Sequence, residues 1–291
     1  MRTVRTISEL RQLLAASRRA RASVGLVATM GALHEGHLSL LHAARADCDL
    51  VVMSLFVNPT QFSPEEDLAA YPRNEARDAQ LAERAGVDLL FAPPVEEIYP
   101  PGFATRVVVA GEISERLEGA QRGAQHFEGV ATVVTKLLSI VAPDAAYFGQ
   151  KDAQQVLVVK RLVSDLAIPT RIVVCPTVRE ADGLARSSRN AYLTPADRAR
   201  AIGIVRALDR TAALISDGER DSAVAAGIAR NELAASGIEP DYLDIVDPET
   251  FTSVAEIDAP VLVAVAAQVG GARLIDNVIA DPAGAKPTLP A

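Results

Sequence analysis

Along the first 175 residues, apolar positions gather in short unbroken runs separated by stretches where they recur every three or four places. Val24, Leu26 and Val27 make one run, residues 50–57 (LVVMSLFV) a second, 87–92 a third, 145–148 a fourth and 170–175 a fifth. Such runs are the mark of strands covered on both faces. Helical spacing follows Leu38-Ser39-Leu40-Leu41. It recurs over 74–85, closed by Gly86, over 127–141 with Val130, Val133, Val134, Leu137, Leu138 and Val141, and over 153–166. Strand and helix in alternation predict a parallel sheet with right-handed crossovers. Residues 107–109 read as one more short strand. Residues 1–22 place Ile7, Leu10, Leu13 and Leu14 on one face behind Ser8 as a cap, which predicts a helix packed on the sheet. The arginines of that segment, against Glu9 alone, match a transit peptide in composition, but its apolar face and its short lead into the first core strand favour packing on the sheet instead.

Beyond residue 177 the pattern changes. Residues 178–190 (VREADGLARSSRN) are polar and hydroxyl-rich, with too few apolar positions for a core. Two helices are expected within 195–235, then strands at 241–246, 261–267 and 274–277. The expected organisation is an α/β doubly wound domain over 1–177 and a smaller α+β domain over 178–281. Residues 282–291, with three prolines, are expected to form a disordered tail.

Composition narrows the class without changing this outline. The 291 residues are 49% hydrophobic and 23% charged, as in a globular protein with a sizeable core. A net charge of −8 gives no global attraction to nucleic acid or membrane. No apolar run reaches membrane-spanning length. The two cysteines, Cys48 and Cys175, lack CxxC spacing and read as reduced core residues of a cytoplasmic protein.

The candidate chemistry centres on Thr29-Met30-Gly31-Ala32-Leu33-His34-Glu35-Gly36-His37, where a strand runs through a glycine turn into a helix. Gly31 and Gly36 permit close backbone approach, and the first helical turn offers unpaired N–H groups to a polyphosphate. His34 and His37, three apart, share a face if that turn is helical, and suit charge stabilisation or proton transfer near neutral pH. Zinc is not favoured, because no cysteine is near and only His42 and His126 lie elsewhere. Neither GxxxxGK[ST] nor GxGxxG occurs. Asn58 and Gln61 follow the second strand at its carboxyl end, where open α/β sheets bind ligands, although turn chemistry also explains them. A second turn, Gly149-Gln150-Lys151-Asp152, brings a cation to a helix start, with Gln155 on the same side. Arg186-Ser187-Ser188-Arg189 has the composition of a mobile phosphate-gripping loop or of a plain surface linker. Arg122 and His126 lie near another helix start.

The segments TMGALHEGHLSLL, SLFVNPTQF, EDLAAYPR, HFEGVATVVTKLL, FGQKDAQQ and VREADGLARSSRN together resemble the pantothenate synthetase (pantoate–β-alanine ligase) family over nearly the whole chain. The resemblance implies a Rossmann-like domain of the HIGH-motif nucleotidyltransferase class with a smaller C-terminal lid, assembled as a homodimer. It implies joining of pantoate to β-alanine with ATP and Mg²⁺ through an enzyme-bound pantoyl adenylate, releasing AMP and pyrophosphate. By the same resemblance Met30, Gly31, His34 and His37 form the ATP phosphate site, with His37 as acid or charge stabiliser. Gly149, Gln150, Lys151 and Asp152 lie against the nucleotide and Val178 against adenine, while Arg186, Ser187, Ser188 and Arg189 form the mobile loop on the triphosphate. Catalysis is carried by His34, His37, Lys151 and Arg189. Gln61, Gln155, Asn58 and Tyr71 border pantoate, Gln61 also borders β-alanine, and Asp78 lies near the metal.

The chain departs from the family pattern at Ala28, where proline is usual, and at Arg186, where methionine or leucine is usual. A third departure is the run before His126, one residue longer and without its proline. Nucleotidyl transfer to a phosphate acceptor, within the same superfamily, and a non-catalytic nucleotide-binding module are the other readings these residues allow.

Overall fold

The computed structural model describes residues 1–62, 68, 71–284 and 289. It contains two compact units, Met1–Gly149 with Gln154–Cys175, and Gln150–Ala153 with Pro176–Ala291.

The first unit holds strands β1 (Arg2–Val4), β2 (Val24–Thr29), β3 (Leu50–Leu55), β4 (Leu89–Phe91), β5 (Ala145–Gly149) and β6 (Arg171–Cys175). They form one parallel sheet in the order β1-β4-β3-β2-β5-β6. The chain winds outward from β2 through β3 and β4, then returns to lay β5 on the other side of β2. The order therefore reverses between β2 and β5, and the carboxyl ends of these two strands flank the switch point where doubly wound sheets bind ligands. The helices are α1 (Ile7–Arg19), α2 (Glu35–Asp47), α3 (Glu75–Arg84), α4 (Val95–Ile98), α5 (Glu112–Glu115), α6 (Glu118–Arg122), α7 (Ala124–Val141) and α8 (Ala153–Asp165).

Continuous burial along the central strands explains their apolar runs. Val51, Val52 and Met53 are all at 0% exposure, since helices cover both faces of the sheet. Leu41 and Ala44 of α2 join Val27, Met53 and Leu90 in one cluster. Cys48 and Cys175 are free and buried, with Cys48 Sγ 3.4 Å from the Tyr147 hydroxyl. Burial, then hydrogen bonds to Cys48 and Asp47, push the Tyr147 hydroxyl well above the usual tyrosine range.

Three expectations are corrected. Helix α1 is capped by Thr6, whose side chain accepts the Glu9 N–H, and not by Ser8. A three-residue strand, β1, precedes it and pairs with β4. Residues 107–109 form no strand: the Val107 N–H donates to Thr132 Oγ1 at 3.0 Å, and Val109 O accepts from Ser114 Oγ at 2.5 Å.

The second unit contains α9 (Pro195–Ser216), α10 (Ser222–Ala235) and an antiparallel sheet of β7 (Pro240–Val246), β8 (Val261–Val269) and β9 (Ala272–Ala280) in the order β7-β8-β9. Ile204, Leu208, Leu233, Val263 and Val265 share its core. Most of the expected tail, 285–288 and 290–291, lies outside the described residues, as do 63–67 and 69–70. No helix of the described residues is long and apolar enough to cross a membrane.

Candidate active site

The loop leaving β2 has two consecutive residues in the left-handed region, Gly31 (φ 94°) and Ala32 (φ 52°). Glycine adopts that conformation freely, whereas alanine pays on the order of 1–2 kcal/mol. Asp78, in the first turn of α3 and 1% exposed, holds the loop in place. Its Oδ2 accepts the Ala32 N–H and its Oδ1 the Leu33 N–H, each at 2.9 Å. Arg77 closes the bracket, donating to Leu33 O at 3.2 Å. The loop thus reaches α2 at a fixed angle, with Leu33 buried beneath it.

His34 is the N-cap of α2. Its Nδ1 accepts the Gly36 N–H at 3.1 Å, and the His34 N–H donates to His37 Nδ1 at 3.4 Å, a reciprocal capping box built from imidazoles. Because a backbone N–H can only donate, each Nδ1 is an acceptor and each neutral ring carries its proton on Nε2. The rings lie 4.2 Å apart, tilted by 40°. Two N–H donors thereby accompany the positive end of a 13-residue helix, a setting suited to successive phosphates.

After β3, Asn58 caps the short turn Pro59–Gln61. Asn58 is 1% exposed and Gln61 9%. The Asn58 Nδ2 donates to Gln61 Oε1 and to Gly129 O, both at 3.1 Å, while Gln61 Nε2 faces Met30 Sδ at 3.1 Å. Gly129 is obligatory here, since a Cβ would overlap the Thr60 carbonyl and stand 2.7 Å from Gln61 Cα. His126 Nδ1 meets the Gln61 carbonyl at 3.0 Å, so it must be the donor. Its Nε2 then accepts from Arg122 at 3.1 Å. The lengthened run before His126 therefore still brings Arg122 to that ring. Tyr71 stacks edgewise on Phe62 at 5.8 Å. Gln155 lies half-buried in the first turn of α8, beside a buried Gln154 that bonds to Glu118 N, Ile113 O and Arg116 O.

In the second unit, Gln150–Asp152 form a 3₁₀ turn braced by Asn277 of β9. The Asn277 Nδ2 donates to the carbonyls of Gln150 and Lys151, each at 3.0 Å. Lys151 Nζ is 3.7 Å from Asp152 Oδ1. A cavity lined by Lys151, Ser187, Arg189, Arg273 and Asp276 collects cationic groups. Beside it the buried Asp276 takes a two-pronged ion pair from Arg179 at 2.6 and 3.2 Å. Val178 O accepts the Arg186 N–H at 2.9 Å and Arg186 pairs with Glu180 at 3.1 Å, so this end of the expected mobile loop is a hydrogen-bonded turn. Ser187 caps the turn Ser188–Tyr192 through the Arg189 N–H.

Sequence reasoning missed Asn277, Gln154, Arg273 and the Arg179–Asp276 pair. Asp276-Asn277, two polar residues inside a strand otherwise rich in apolar positions, was the available signal for two of them. Among the described residues no three His, Cys, Asp or Glu side chains gather as a metal-binding group. Both oxygens of Asp78, for which the family resemblance implies a place near the metal, hold backbone N–H groups here.

A family model described as "Pantoate-beta-alanine ligase" matches residues 2–279. The pantothenate synthetase of Moorella thermoacetica is 54% identical over 280 residues, covering 96% of this chain and 98% of that protein. The crystal structure of pantothenate synthetase from Thermus thermophilus superposes with a TM-score of 0.90 at 50% identity, covering 96% of this chain and 99% of that one. A pantoate-β-alanine ligase from Francisella tularensis, complexed with β-γ ATP and β-alanine, gives a TM-score of 0.78 at 36% identity, covering 96% and 97%.

Proposed function

Because the chain belongs to the pantoate-β-alanine ligase family, we propose that the histidine pair at the start of α2 is the phosphate site of an ATP-driven amide ligation. The chain's activity is the condensation of pantoate with β-alanine to pantothenate at the expense of ATP. The observation that carries the assignment of the site is the pair of Nε2–H donors held by backbone groups at the sheet's switch point.

In the first step a pantoate carboxylate oxygen attacks the α-phosphorus of ATP, and the bond from that phosphorus to the departing pyrophosphate breaks. The product is pantoyl adenylate. The β-alanine amine then attacks the acyl carbon, AMP leaves with the former carboxylate oxygen, and the amine loses a proton. Bringing two anions together is opposed by strong repulsion unless fixed donors and cations offset it. His34 and His37, with the Met30–Gly31 backbone, serve the phosphates, and His37 donates to the oxygen that gains charge at the α-phosphate. Lys151 and Arg189 neutralise the triphosphate, supported by Gly149, Gln150, Asp152, Ser187, Ser188 and Arg186, with Val178 against adenine. Gln61, Gln155 and Tyr71 hold pantoate, and Gln61 also borders β-alanine.

Magnesium fits this scheme as an ion carried by the nucleotide. The ion prefers phosphate oxygens, water and one or two carboxylates, and Asp152 is half-exposed next to Lys151. When bound it lowers the charge of the triphosphate. The enzyme works as a cytoplasmic homodimer in this reading.

The test is isotope exchange between pyrophosphate and ATP, with Mg²⁺ and pantoate present and β-alanine omitted. Exchange that requires pantoate is expected. Its absence from folded, ATP-binding protein would overturn the adenylate route and favour nucleotidyl transfer to a phosphate acceptor.

A further inference from the structure

The buried polar cluster between β3 and α7 fixes the direction of the hydrogen bonds made by the Asn58 and Gln61 amides. Asn58 Oδ1 accepts the Thr60 backbone N–H at 3.3 Å, and Asn58 Nδ2 donates to the Gly129 carbonyl at 3.1 Å. A backbone N–H can only donate and a carbonyl can only accept, so both backbone contacts favour one orientation of the Asn58 amide. The other Nδ2 proton goes to Gln61 Oε1 at 3.1 Å, which occupies the acceptor end of Gln61 and turns its NH₂ outward against the weak acceptor Met30 Sδ.

Two hydroxyls reinforce the orientation. Thr60 Oγ1 donates to Asn58 Oδ1 at 2.9 Å and Tyr99 donates to the same oxygen at 2.8 Å, the shortest bond of the set. The Tyr99 ring is held by Phe103, 5.0 Å away at 62°, and by Phe56 at 6.1 Å. Lys136 Nζ lies 4.5 Å from the Phe103 ring centre. Burial raises the Tyr99 hydroxyl above its ordinary range, so it stays protonated and able to donate near neutral pH.

We propose that Asn58 and Tyr99 are positioning residues that fix the polarity of the Gln61 amide, so that Gln61 meets the acid substrate as a donor only. Asn58, expected at the pantoate site, acts through Gln61 and not on substrate. The consequence is selectivity. Either oxygen of a carboxylate accepts the outward N–H, whereas a neutral carboxamide of the same shape has one acceptor oxygen, and its NH₂ placed there leaves a donor facing a donor. The inference rests on the ligase reading, in which Gln61 binds pantoate.

The experiment measures calorimetric affinities of the full-length protein for pantoate and for its carboxamide, pantoamide, in the wild type, Asn58→Asp and Tyr99→Phe. The carboxylate introduced by Asn58→Asp would present an acceptor to Gln61 Oε1, and the Gln61 amide would rotate to donate to it, turning Oε1 outward. Expected for N58D is a loss of pantoate affinity of roughly 10- to 100-fold with pantoamide changed less than about 3-fold, the range of one reversed buried hydrogen bond. Tyr99→Phe removes one of three donors and is expected to lower the pantoate preference by about 3- to 10-fold at a nearly unchanged Tm. Because Y99F keeps the ring packing, it decides the matter if N58D does not fold. Equal losses for both ligands, or an unaltered preference in Y99F, would overturn the relay. Wild-type protein without pantoate-dependent exchange would remove the ligase reading itself, whereas exchange with equal losses removes the relay alone.

Discussion

At the scale of single residues, the proposed phosphate loop depends on a carboxylate that need touch no phosphate. Asp78 is buried and spends both oxygens on the N–H groups of Ala32 and Leu33. In Asp78→Asn one of those N–H groups would face an amide donor, a mismatch worth about 1–3 kcal/mol. Expected are a lower Tm and a raised KM for ATP in the same variant; native values of both would mean that the loop holds itself. His37 is a different case, because removing it leaves the loop's other supports in place. His37→Ala is expected to lower kcat by roughly 10²–10³, the cost of one preorganised donor, with Tm changed little. Turnover near that of the wild type would show that the Nε2–H donor is not used. The candidate residue types were legible in the sequence, since histidines at a glycine turn before a helix suggest phosphates on chemistry alone. What they do to each other was not. A capping box made of two imidazoles does not follow the Ser/Thr–Glu pattern by which such caps are read, and Asp78 lies more than forty residues from the loop it holds.

Elements were legible where periodicity had room to show itself. The runs at 50–57 and 170–175 and the stripe ending at Val141 became β3, β6 and α7 because burial on both faces, or on one helical face, leaves a repeated pattern. Strand β1 has three residues, too few for a period, and is fixed by its pairing with β4. Strand β9 runs over nine residues where only 274–277 were expected, and its polar Asp276 and Asn277 serve contacts outside the strand: one anchors Arg179 and the other braces Gln150 and Lys151. The 178–190 segment read as a loop and is one, yet it is tied down at Glu180 by Asn190 at 2.7 Å, Arg186 at 3.1 Å and Arg198 at 2.6 Å. Burial pushes the Glu180 carboxyl up, but the hydrogen bonds from Asn190 and Arg198 outweigh it and hold the group below its ordinary 4.5. A depressed folded-state pKa adds stability that is present above the unfolded value and lost as pH falls through the folded one. The difference in urea midpoint between the wild type and Glu180→Gln should therefore be constant near neutrality and shrink from about pH 4.5 downward. A pH-independent difference would mean that charge at Glu180 does not secure the loop.

At the scale of the whole molecule, the chain order and the units do not coincide. The chain leaves the first unit at Gly149, contributes Gln150–Ala153 to the second, returns for Gln154–Cys175 and leaves again at Pro176. A sequence pattern reads one strand, turn and helix straight through that excursion, because local periodicity carries no trace of a carbonyl bonded to a side chain more than 120 residues away. That bond gives Lys151 its setting: Asn277 holds the carbonyls of Gln150 and Lys151, and Asp276 beside it is fixed by Arg179. A chain truncated after Cys175 retains the whole parallel sheet and the helices that cover it, so it is expected to fold with the far-ultraviolet circular dichroism of an α/β protein. It lacks Val178, Ser187, Ser188 and Arg189, and its Gln150–Asp152 turn loses the Asn277 brace. Pantothenate formation should fall below detection and ATP affinity should drop, while the His34–His37 cap, built wholly within the first unit, stays formed. Side-chain imidazole NMR signals would report the cap through the Nε2–H tautomer, independently of activity. A truncated protein that still ligates would show that Lys151 and the 178–190 segment are dispensable. A truncated protein in which the tautomer is lost would show that the phosphate loop is not self-sufficient, and that its geometry depends on residues beyond Cys175.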